Sequence, residues 1–286
     1  MSRNTPKQTP PSTVSVPAGG REPDFVSALN QLTQMLFSKE LESGVQLKES
    51  VLAREFNVSR PAMREALSQL IGWRLVEYVP YCGYRIRVFT LGDLRDWVEM
   101  REAIEPLAAR RLASRALTEA ERQELHTLLS KCMIPRAQRS DPTDLLRDDM
   151  AFHYAIVRMC GNSRFNDPGL AGYYNSVMSQ HRRRLWTLLS YCYAPERDSF
   201  PNPDAYFAST EPLTNRSHQF ILQALEAGDP LAAEAHVRSH CASQTENILR
   251  AIALFGNEDI PLDDLDTTDV MKCLLKRVGL KALTKE

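Results

Sequence analysis

The sequence predicts a mainly α-helical protein with two domains, the first containing a small β-hairpin and the second an antiparallel helical bundle. Three observations support this architecture. Between residues 47 and 88, apolar residues at helical spacing are followed by alternating apolar and polar residues, which is strand periodicity. From Asp93 onward the spacing is helical again, with no further convincing alternation. A chain of 286 residues also suggests two domains, because a single core usually stops growing near this size.

Composition is typical of a globular protein in a reducing compartment. Hydrophobic residues make up 43% of the chain and charged residues 25%, with a formal net charge of −1. No apolar run approaches the ~18 residues of a membrane span, and residues 1–23 lack the apolar segment of a signal peptide. The six cysteines form no C-x-x-C pair, so reduced thiols are expected, with a redox-sensing pair as the alternative. We therefore expect a cytoplasmic protein without a membrane partner.

Residues 47–70 predict two short helices joined by a tight turn. An apolar stripe through Leu52 and Phe56 indicates the first helix. Asn57 suits the turn, because asparagine tolerates the left-handed backbone region. Ser59 is a good N-cap for the second helix.

The second of these helices is predicted to carry arginines on its outer face. The residues at inward-facing helical spacing are Met63, Ala66, Leu67 and Leu70. Arg60 and Arg64 point the other way, where arginines at the start of a recognition helix can contact guanine or phosphate. The alternative is an ordinary solvated helix face.

Residues 75–88 predict a β-hairpin directly after this helix. The alternating apolar positions are Val76, Tyr78, Tyr84, Ile86 and Val88. Arg85 and Arg87 lie on the opposite strand face from Ile86. Between Arg54 and Arg87 there are six arginines and three glutamates, a local charge of +3 in a chain of net charge −1. A hairpin in this place is the wing of a winged helix-turn-helix, and the local positive charge favours DNA as its partner.

The predicted DNA-binding domain covers residues 24–89 and follows a polar, proline-rich arm over residues 1–23. The arm is expected to be disordered. Arg3, Lys7 and Arg21 offer it contacts to DNA, but an inert tail is the preferred interpretation.

Residues 26–88 resemble the winged helix-turn-helix of the GntR family of bacterial transcription regulators. The positions that match the family pattern are Leu47, Glu49, Leu52, Ala53, Val58, Ser59, Arg60, Arg64, Glu65, Ala66, Leu67 and Leu70. The resemblance implies that Arg60 and Arg64 contact DNA and that Gly83 forms the wing tip. Ser59, beside Arg60, and Arg85 in the wing are also expected at the DNA. Arg74 departs from the pattern, since the family usually has a glycine where the recognition helix ends. A non-glycine residue with left-handed geometry there costs roughly 1 kcal/mol, and Gly72 is an alternative helix-ending residue.

The second domain is predicted over residues 93–255 from helical spacing and capping signals. Helices are expected over 93–115, 118–133, 144–159, 170–189, 218–227 and 229–255, with a capping box at Thr118 and Glu121 and an N-cap at Asp229. Residues 192–213 contain four prolines and are expected to form a long loop. Such a loop is longer than a compact helical domain needs, which suggests a functional role for it. Residues 256–286 are expected to form a C-terminal extension, ending in a short amphipathic helix with no obvious role.

Four polar residues are expected on inward faces of this bundle. Asp149 and His153 are spaced i, i+4 and share one helix face. His218 is expected in the first turn of its helix, and His240 on the core side of the next helix. A carboxylate and three imidazoles on three helices can converge on one divalent cation, and such donors suit Zn, Ni, Mn or Fe.

The alternative is that these histidines are separate core or surface residues. His236 is a rival to His240, because the two form an i, i+4 pair. His236 lies toward the polar edge of its helix, so His240 is preferred. His126 and His181 have no equivalent support.

Residues 93–254 resemble the FCD ligand-binding domain of the FadR subgroup of GntR regulators. The matching segments are EMREAIEPLAARRLA, DMAFHYAIVRMCGN and HQFILQALEAGDPLAAEAHVRSH. The resemblance implies that Asp149, His153, His218 and His240 bind a divalent metal ion, with Zn, Ni or Mn as candidates. It also implies that Arg101 faces inward and, with the metal, holds the carboxylate of a small organic or sugar acid.

The sequence therefore predicts a cytoplasmic, homodimeric transcription regulator that binds double-stranded operator DNA and responds to a small carboxylate. Two recognition helices would read two half-sites of a short palindrome. One alternative is a metal sensor, in which the cation itself is the effector. A metal-dependent enzyme is the other, but no general base has a defined place beside the metal and the winged domain would be unexplained.

Overall fold

The structure of the protein is a computed structural model that describes residues 23–38, 44–140, 144–166 and 203–255, together with positions 185, 189, 199 and 270. The expected arm up to residue 22, the helix expected over 170–189, the first half of the loop expected over 192–213 and the C-terminal extension lie outside the four ranges, as does His181. The chain divides into two compact units between Arg87 and Val88. Each unit is described by itself.

Three helices and a three-stranded antiparallel sheet form the first unit. They are α1 (Asp24–Ser38), β1 (Gln46–Leu47), α2 (Glu49–Glu55), α3 (Arg60–Gly72), β2 (Val76–Val79) and β3 (Gly83–Ile86). The strand order is β1-β3-β2, with Val76 opposite Ile86 and Val79 opposite Gly83. The predicted hairpin is thus confirmed. Strand β1 was not predicted, because two residues are too few to show alternation.

Helix α3 lies at the centre of the first unit. Its inward side chains Met63, Leu67 and Leu70 are completely buried, and α1 packs along them with Ala28 and Leu32. The inward face predicted for this helix is therefore confirmed. The charged residues of α3 lie on its opposite, exposed face.

The turn between α2 and α3 has the predicted local geometry. Asn57 adopts a left-handed backbone with φ of 54°. The Ser59 hydroxyl accepts the backbone N–H of Ala62 at 3.4 Å and so caps α3. The two helices are therefore joined by a turn that their own side chains favour.

Arg74 occupies the left-handed position at the end of the recognition helix, with φ of 57°. Its backbone N–H donates to Ile71 O at 2.9 Å, and the N–H of Leu75 donates to Leu70 O at 3.0 Å. This pair of bonds is a Schellman motif. Gly72, the alternative helix-ending residue, is the last residue of α3, and the left-handed position after it belongs to Arg74.

The second unit is helical throughout its described residues. Its helices are α4 (Leu91–Ala113), α5 (Glu119–Cys132), α6 (Asp144–Met159), α7 (Pro203–Ala227) and α8 (Pro230–Phe255), with short 3-10 turns at Arg136–Gln138 and Ser163–Asn166. The mainly helical fold class is therefore confirmed. None of the described helices is long and apolar enough to cross a membrane.

Capping residues start several of these helices where the sequence predicts them. Thr118 and Glu121 form the predicted capping box of α5. Asp229 Oδ1 accepts the backbone N–H groups of Leu231 and Ala232 at 3.1 and 3.0 Å, and so caps α8.

The loop expected over 192–213 and the short helix expected to follow it are wrong for the described residues. Helix α7 begins at Pro203 and includes Pro212, so residues 203–213 are helical. Pro203 stands at the first helical position, where its missing N–H costs nothing. His218 consequently lies well inside α7 and not in a first turn.

Helix α4 is central to the second unit and packs against α6, α7 and most extensively α8. The core between the helices includes Leu112, Phe152, Ile221 and Val237, all fully buried or nearly so. Inward faces of four helices therefore meet in one interior, and each of these helices also carries buried polar residues.

Candidate functional site

The exposed face of α3 carries Arg60 and Arg64, whose side chains are 66% and 60% exposed. Both approach Glu49 in the first turn of α2. Arg64 Nε and Nη2 each donate to a Glu49 carboxylate oxygen at 3.0 Å, and Arg60 Nε lies 3.5 Å from Glu49 Oε1. The hydrogen bonds from Arg64 are the main cause that holds the pKa of Glu49 below its usual value. Sequence reasoning missed this contact, because it joins two helices and no spacing within one helix signals it.

The other residues predicted at DNA are placed differently. The Ser59 hydroxyl caps α3. Gly83 has φ of +84° beside the hairpin turn, a conformation that glycine adopts without strain. Arg85 Nε donates to Glu77 Oε1 across the sheet at 2.7 Å. The arginines of α3 are thus brought together, whereas Arg85 lies on the sheet in an ion pair of its own.

A buried cluster in the second unit contains the four predicted metal ligands. Asp149 and His153 come from α6, His218 from α7 and His240 from α8, and each is at most 4% exposed. One ligand atom from each residue lies within 4.8 Å of the corresponding atoms of the other three. The packing of three helices therefore converges these side chains, as the sequence predicts.

The polar atoms of this cluster lie close together, but several of them make no hydrogen bond. Asp149 Oδ1 lies 2.9 Å from His218 Nε2 and 3.6 Å from His240 Nε2, and His153 Nε2 lies 3.2 Å from His218 Nε2. Despite the short distances, neither Asp149 oxygen makes an aligned hydrogen bond, and His218 Nδ1 has no partner either. A buried polar group without a hydrogen bond costs about 1–3 kcal/mol, more when it is charged. A cation among these atoms would remove that penalty, so the residues fit a divalent metal ion.

Protonation also suits the cluster for a metal. Burial is the main cause that lowers the pKa of His240 to about 3, and the neighbouring His218 adds to it. Burial likewise lowers the pKa of His218. For Asp149, burial alone would raise the pKa, but contacts with the neighbouring histidines, above all His218, outweigh it and leave the pKa well below its usual value. Near neutral pH the cluster therefore offers the Asp149 carboxylate and the neutral imidazoles of His218 and His240, the forms that bind metals.

Arg101 faces inward, as the family resemblance implies, and is 2% exposed. Its guanidinium is already engaged, because Nε donates to Glu105 Oε1 at 2.6 Å and Nη2 donates to Glu105 Oε2 at 3.2 Å. Nη1 donates to Gln244 Oε1 at 3.3 Å, and the cation lies 5.0 Å from the centre of the Trp97 ring. Burial opposes the charge most strongly, but Glu105 and other neighbours raise the pKa of Arg101 above its usual value.

Glu105 connects Arg101 to the cluster. Its Oε2 lies 2.8 Å from His153 Nδ1, at an angle that departs from a hydrogen bond, and accepts the Cys241 thiol at 3.1 Å. Glu105, His153 and Cys241 also stand close enough together to hold a metal. Burial and then Glu105 raise the pKa of Cys241 well above its usual value, which keeps the thiol protonated. This second group therefore lies against the four-residue cluster through His153, and the hydrogen bond from Cys241 helps to fix the Glu105 carboxylate there.

Three residues beside the cluster were not predicted. Ser217 Oγ lies 2.6 Å from His240 Nδ1, and Gln244 Nε2 lies 3.1 Å from His240 Nε2. The third is Cys241. Gln244 follows His240 by four residues, so helical spacing alone could have identified it. The contacts of Ser217 and Cys241 run between helices and have no such signal.

The remaining histidines of the described residues lie outside the cluster. The His236 ring stacks on Phe220 with 5.6 Å between centroids. His126 Nε2 lies 2.9 Å from Glu226 Oε1 on the surface. The structure thus brings His240 into the cluster in preference to its rival His236.

Two protein families match this chain. Residues 27–86 match the bacterial regulatory proteins of the gntR family, and residues 96–243 match the FCD domain. Together the matches include the α3 arginines and all four residues of the buried cluster.

Curated relatives are bacterial transcription regulators. The HTH-type transcriptional repressor GlaR of Escherichia coli (strain K12) is 26% identical over 72% of this chain and 87% of its own length. A probable D-xylose utilization operon transcriptional repressor of Paenarthrobacter nicotinovorans is 28% identical over 71% of this chain and 79% of its own length. The uncharacterized HTH-type regulator YdhC of Bacillus subtilis (strain 168) is 28% identical over 49% of this chain, which spans 62% of that relative.

Solved structures show the same fold at low sequence identity. E. coli McbR/YncC is 20% identical, with a TM-score of 0.57 over 83% of this chain and 99% of its own. A putative GntR regulator from Rhodococcus sp. RHA1 is 17% identical, with a TM-score of 0.54 over 79% of this chain and 97% of its own. These similarities concern the fold alone.

Proposed function

Since the chain belongs to the GntR family of bacterial regulatory proteins and carries an FCD domain, we propose that a small carboxylate, bound at a metal in the helical domain, controls its affinity for operator DNA. The family assignment makes the protein a DNA-binding transcription regulator and not an enzyme. The effector, the metal and the residues that contact them are the proposed part. The observation that carries the proposal is the buried cluster of four convergent ligand atoms with unsatisfied Asp149 oxygens.

The metal would be held by Asp149, His153, His218 and His240, with Zn, Ni or Mn as candidates. When bound, the metal supplies a positive charge that attracts the carboxylate of an organic or sugar acid. Arg101 is the second proposed partner of that carboxylate. Because Glu105 holds Nε and Nη2, the acid would reach Nη1 by replacing Gln244.

DNA contact is proposed for the exposed arginines Arg60 and Arg64 and for Ser59, Gly83 and Arg85 around them. Their unit corresponds to the proposed DNA-binding domain over residues 24–89, and the effector domain covers residues 93–255. The exposure of both α3 arginines and the local positive charge support this assignment. We place the regulator in the cytoplasm, where its operator DNA lies.

A homodimer is proposed because one small winged domain makes limited specific contact with DNA. Two recognition helices would then read two half-sites centred about one helical turn apart, or a multiple of it. Sedimentation of the protein, free and with operator, measures this directly. Monomers in both samples would contradict the dimer.

Control by the acid requires that it bind one arrangement of the protein better than another. Arg101 and Glu105 lie on α4, the first helix after the wing along the chain. A ligand that changes the contacts of Arg101 therefore acts on the helix that is covalently joined to the DNA-binding domain. This connection supports α4 as the element through which the effector acts.

The test is a gel shift on the DNA upstream of the protein's own gene, with a panel of sugar and hydroxy acids, with and without a chelator. D-xylonate belongs in the panel because one relative is named for a D-xylose operon. The expected result is an acid that changes DNA affinity in metal-loaded protein but not in chelated protein. Loss of the response in His218→Ala, with DNA binding intact, would support the metal site. No change with any acid would reject effector control.

A metal sensor is the second candidate, favoured by the complete set of four protein ligands in one buried cluster. In that case the metal alone changes DNA affinity and the acids add nothing. The same gel shift therefore distinguishes the two functions.

A further inference from the structure

Gln244 on α8 lies between Arg101 and His240. Its Oε1 accepts Arg101 Nη1 at 3.3 Å, and its Nε2 lies 3.1 Å from His240 Nε2. On the other side of the imidazole, His240 Nδ1 lies 2.6 Å from Ser217 Oγ. Four side chains from three helices therefore form one continuous polar chain.

The direction of the hydrogen bonds in this chain follows from Arg101. A guanidinium only donates, so the Gln244 atom that faces Arg101 must be the amide oxygen. The amide NH₂ then faces His240 and donates to Nε2, which must carry a lone pair. The proton of the neutral His240 ring consequently sits on Nδ1 and is donated to Ser217 Oγ. A doubly protonated ring would place two donors against each other at 3.1 Å.

We propose that Gln244 is a positioning residue: Arg101 orients it, and it holds His240 in the tautomer whose Nε2 lone pair is available to a metal. A metal that binds this lone pair displaces Gln244 and so uncovers Arg101. This inference rests on the proposed function, because it concerns the same metal and the same arginine. It adds Gln244 to the site and couples metal binding to the availability of Arg101.

The coupling follows from a competition for one lone pair. His240 Nε2 cannot accept the Gln244 N–H and bind a metal at once, so metal binding requires the amide to turn away. The contact of Gln244 Oε1 with Arg101 Nη1 is then lost as well, while Glu105 still holds Nε and Nη2. A buried donor is left without a partner, and a carboxylate oxygen is the group that best satisfies it. Metal binding thereby prepares Arg101 for the acid.

The first experiment determines the His240 tautomer by ¹⁵N NMR of histidine-labelled, metal-free full-length protein, with the signal assigned by its loss in His240→Gln. The expected result is a proton on Nδ1, favoured over Nε2 by roughly tenfold or more, as two cooperating hydrogen bonds require. In Gln244→Glu the group facing Nε2 can only accept, so the proton should move to Nε2. Gln223→Leu, at an exposed position of α7, is the control that should leave the tautomer unchanged.

The outcomes of this experiment are decisive for the positioning role. A wild-type His240 with its proton on Nε2 would overturn the proposal, and so would a Gln244→Glu variant with an unchanged tautomer. If Gln244 merely packs between α4 and α8, both results are expected. The NMR samples contain no metal, so the tautomer result does not depend on metal binding. A protein that proved not to bind metal would therefore reject the proposed function and leave the tautomer result standing.

The second experiment adds Zn²⁺ to wild type and follows the side-chain amide signals of Gln244 by NMR, assigned with Gln244→Leu. Displacement predicts that these signals shift and that their hydrogen exchange accelerates in proportion to bound Zn²⁺. Bound Zn²⁺ with unchanged Gln244 signals would overturn the coupling to Arg101. Gln223 again serves as the control whose signals should not move.

Discussion

Arg64 and Arg101 both pair with a glutamate, but their surroundings give the two ion pairs different physical weight. The side chains of Arg64 and Glu49 are 60% and 14% exposed, whereas those of Arg101 and Glu105 are 3% and 1% exposed. Exposed pairs contribute little to stability because water and salt screen them. In a buried pair, removal of one partner leaves an uncompensated charge in the core. The first pair is therefore available for binding, and the second is part of the structure.

Arg101→Met is expected to lower the free energy of unfolding by roughly 3–5 kcal/mol, because Glu105 would lose its buried partner. Denaturant unfolding of the metal-free protein measures the change. Arg101→Met combined with Glu105→Met should recover part of the loss, since no charge then remains unpaired.

The control for this prediction is Arg238→Met, which breaks an exposed pair with Glu234 and should change stability little. Equal losses for Arg101→Met and Arg238→Met would show that burial of the Arg101 pair does not matter for stability.

Arg64→Ala is expected to weaken operator binding by about ten- to a hundredfold, as for loss of an arginine that reads a base edge. Fluorescence anisotropy with labelled operator measures it, and metal content should stay at the wild-type value. Arg122→Ala, at a partly exposed arginine of the helical domain that also pairs with a glutamate, is the control. If Arg64→Ala binds operator like wild type, α3 is not the recognition helix.

Three helices end in the same hydrogen-bond pattern but with different residues at the left-handed position. After α2 this residue is Asn57, after α3 it is Arg74 and after α7 it is Gly228, with φ of 54°, 57° and 65°. In each case the next residue's N–H closes the helix end, as for Asp229 N to Ala224 O at 3.0 Å. The hydrogen bonds of the helix end thus set the left-handed backbone conformation, and the residue at that position determines only the free-energy cost of adopting it.

Arg74→Gly is expected to stabilise the first unit by about 0.5–1 kcal/mol, because glycine adopts the left-handed region without strain. The converse change, Gly228→Ala, should destabilise the second unit by about 1 kcal/mol. Crowding does not contribute there, since the nearest atom to the added Cβ is Ala113 O at 3.8 Å. Thermal unfolding measures both variants.

Gly72→Ala is the control for these helix ends. Gly72 has helical geometry and open space around it, so alanine should be neutral or stabilising. A stabilising Gly228→Ala would contradict the assigned role of the left-handed position.

At the scale of the whole molecule, the two compact units carry separate chemistry. The exposed arginines belong to the unit that ends at Arg87, and the buried ligand cluster belongs to the unit that starts at Val88. Each unit has its own hydrophobic core. Changes in one unit are therefore expected to leave the intrinsic stability of the other unchanged.

Zn²⁺ is expected to stabilise the second unit, because a ligand that binds only the folded state adds about 2.7 kcal/mol when its concentration is 100 times its dissociation constant. Differential scanning calorimetry should show one unfolding transition whose midpoint temperature rises with Zn²⁺ and falls back when a chelator is added. His218→Ala should remove most of this shift. An identical shift in wild type and His218→Ala would place the bound metal outside the cluster.

The sequence by itself determined what depends on neighbours along the chain. The helical stripe of α3, the alternation of the hairpin and the caps at Ser59, Thr118 and Asp229 are local signals, and the structure contains all of them. The four cluster residues were also identified, because each lies on an apolar helix face and the family pattern marks it.

Only the tertiary structure decided which side chains meet across helices. The prolines of residues 192–213 favoured a loop, but α7 begins at Pro203. The proline pattern contains no information on the packing of that helix against α4 and α8. The bond between Arg101 and Gln244 joins residues 143 positions apart, and the pair of Arg64 with Glu49 joins two helices. Such contacts arise when helix faces are brought together to bury apolar surface, and no periodicity within one helix contains that information.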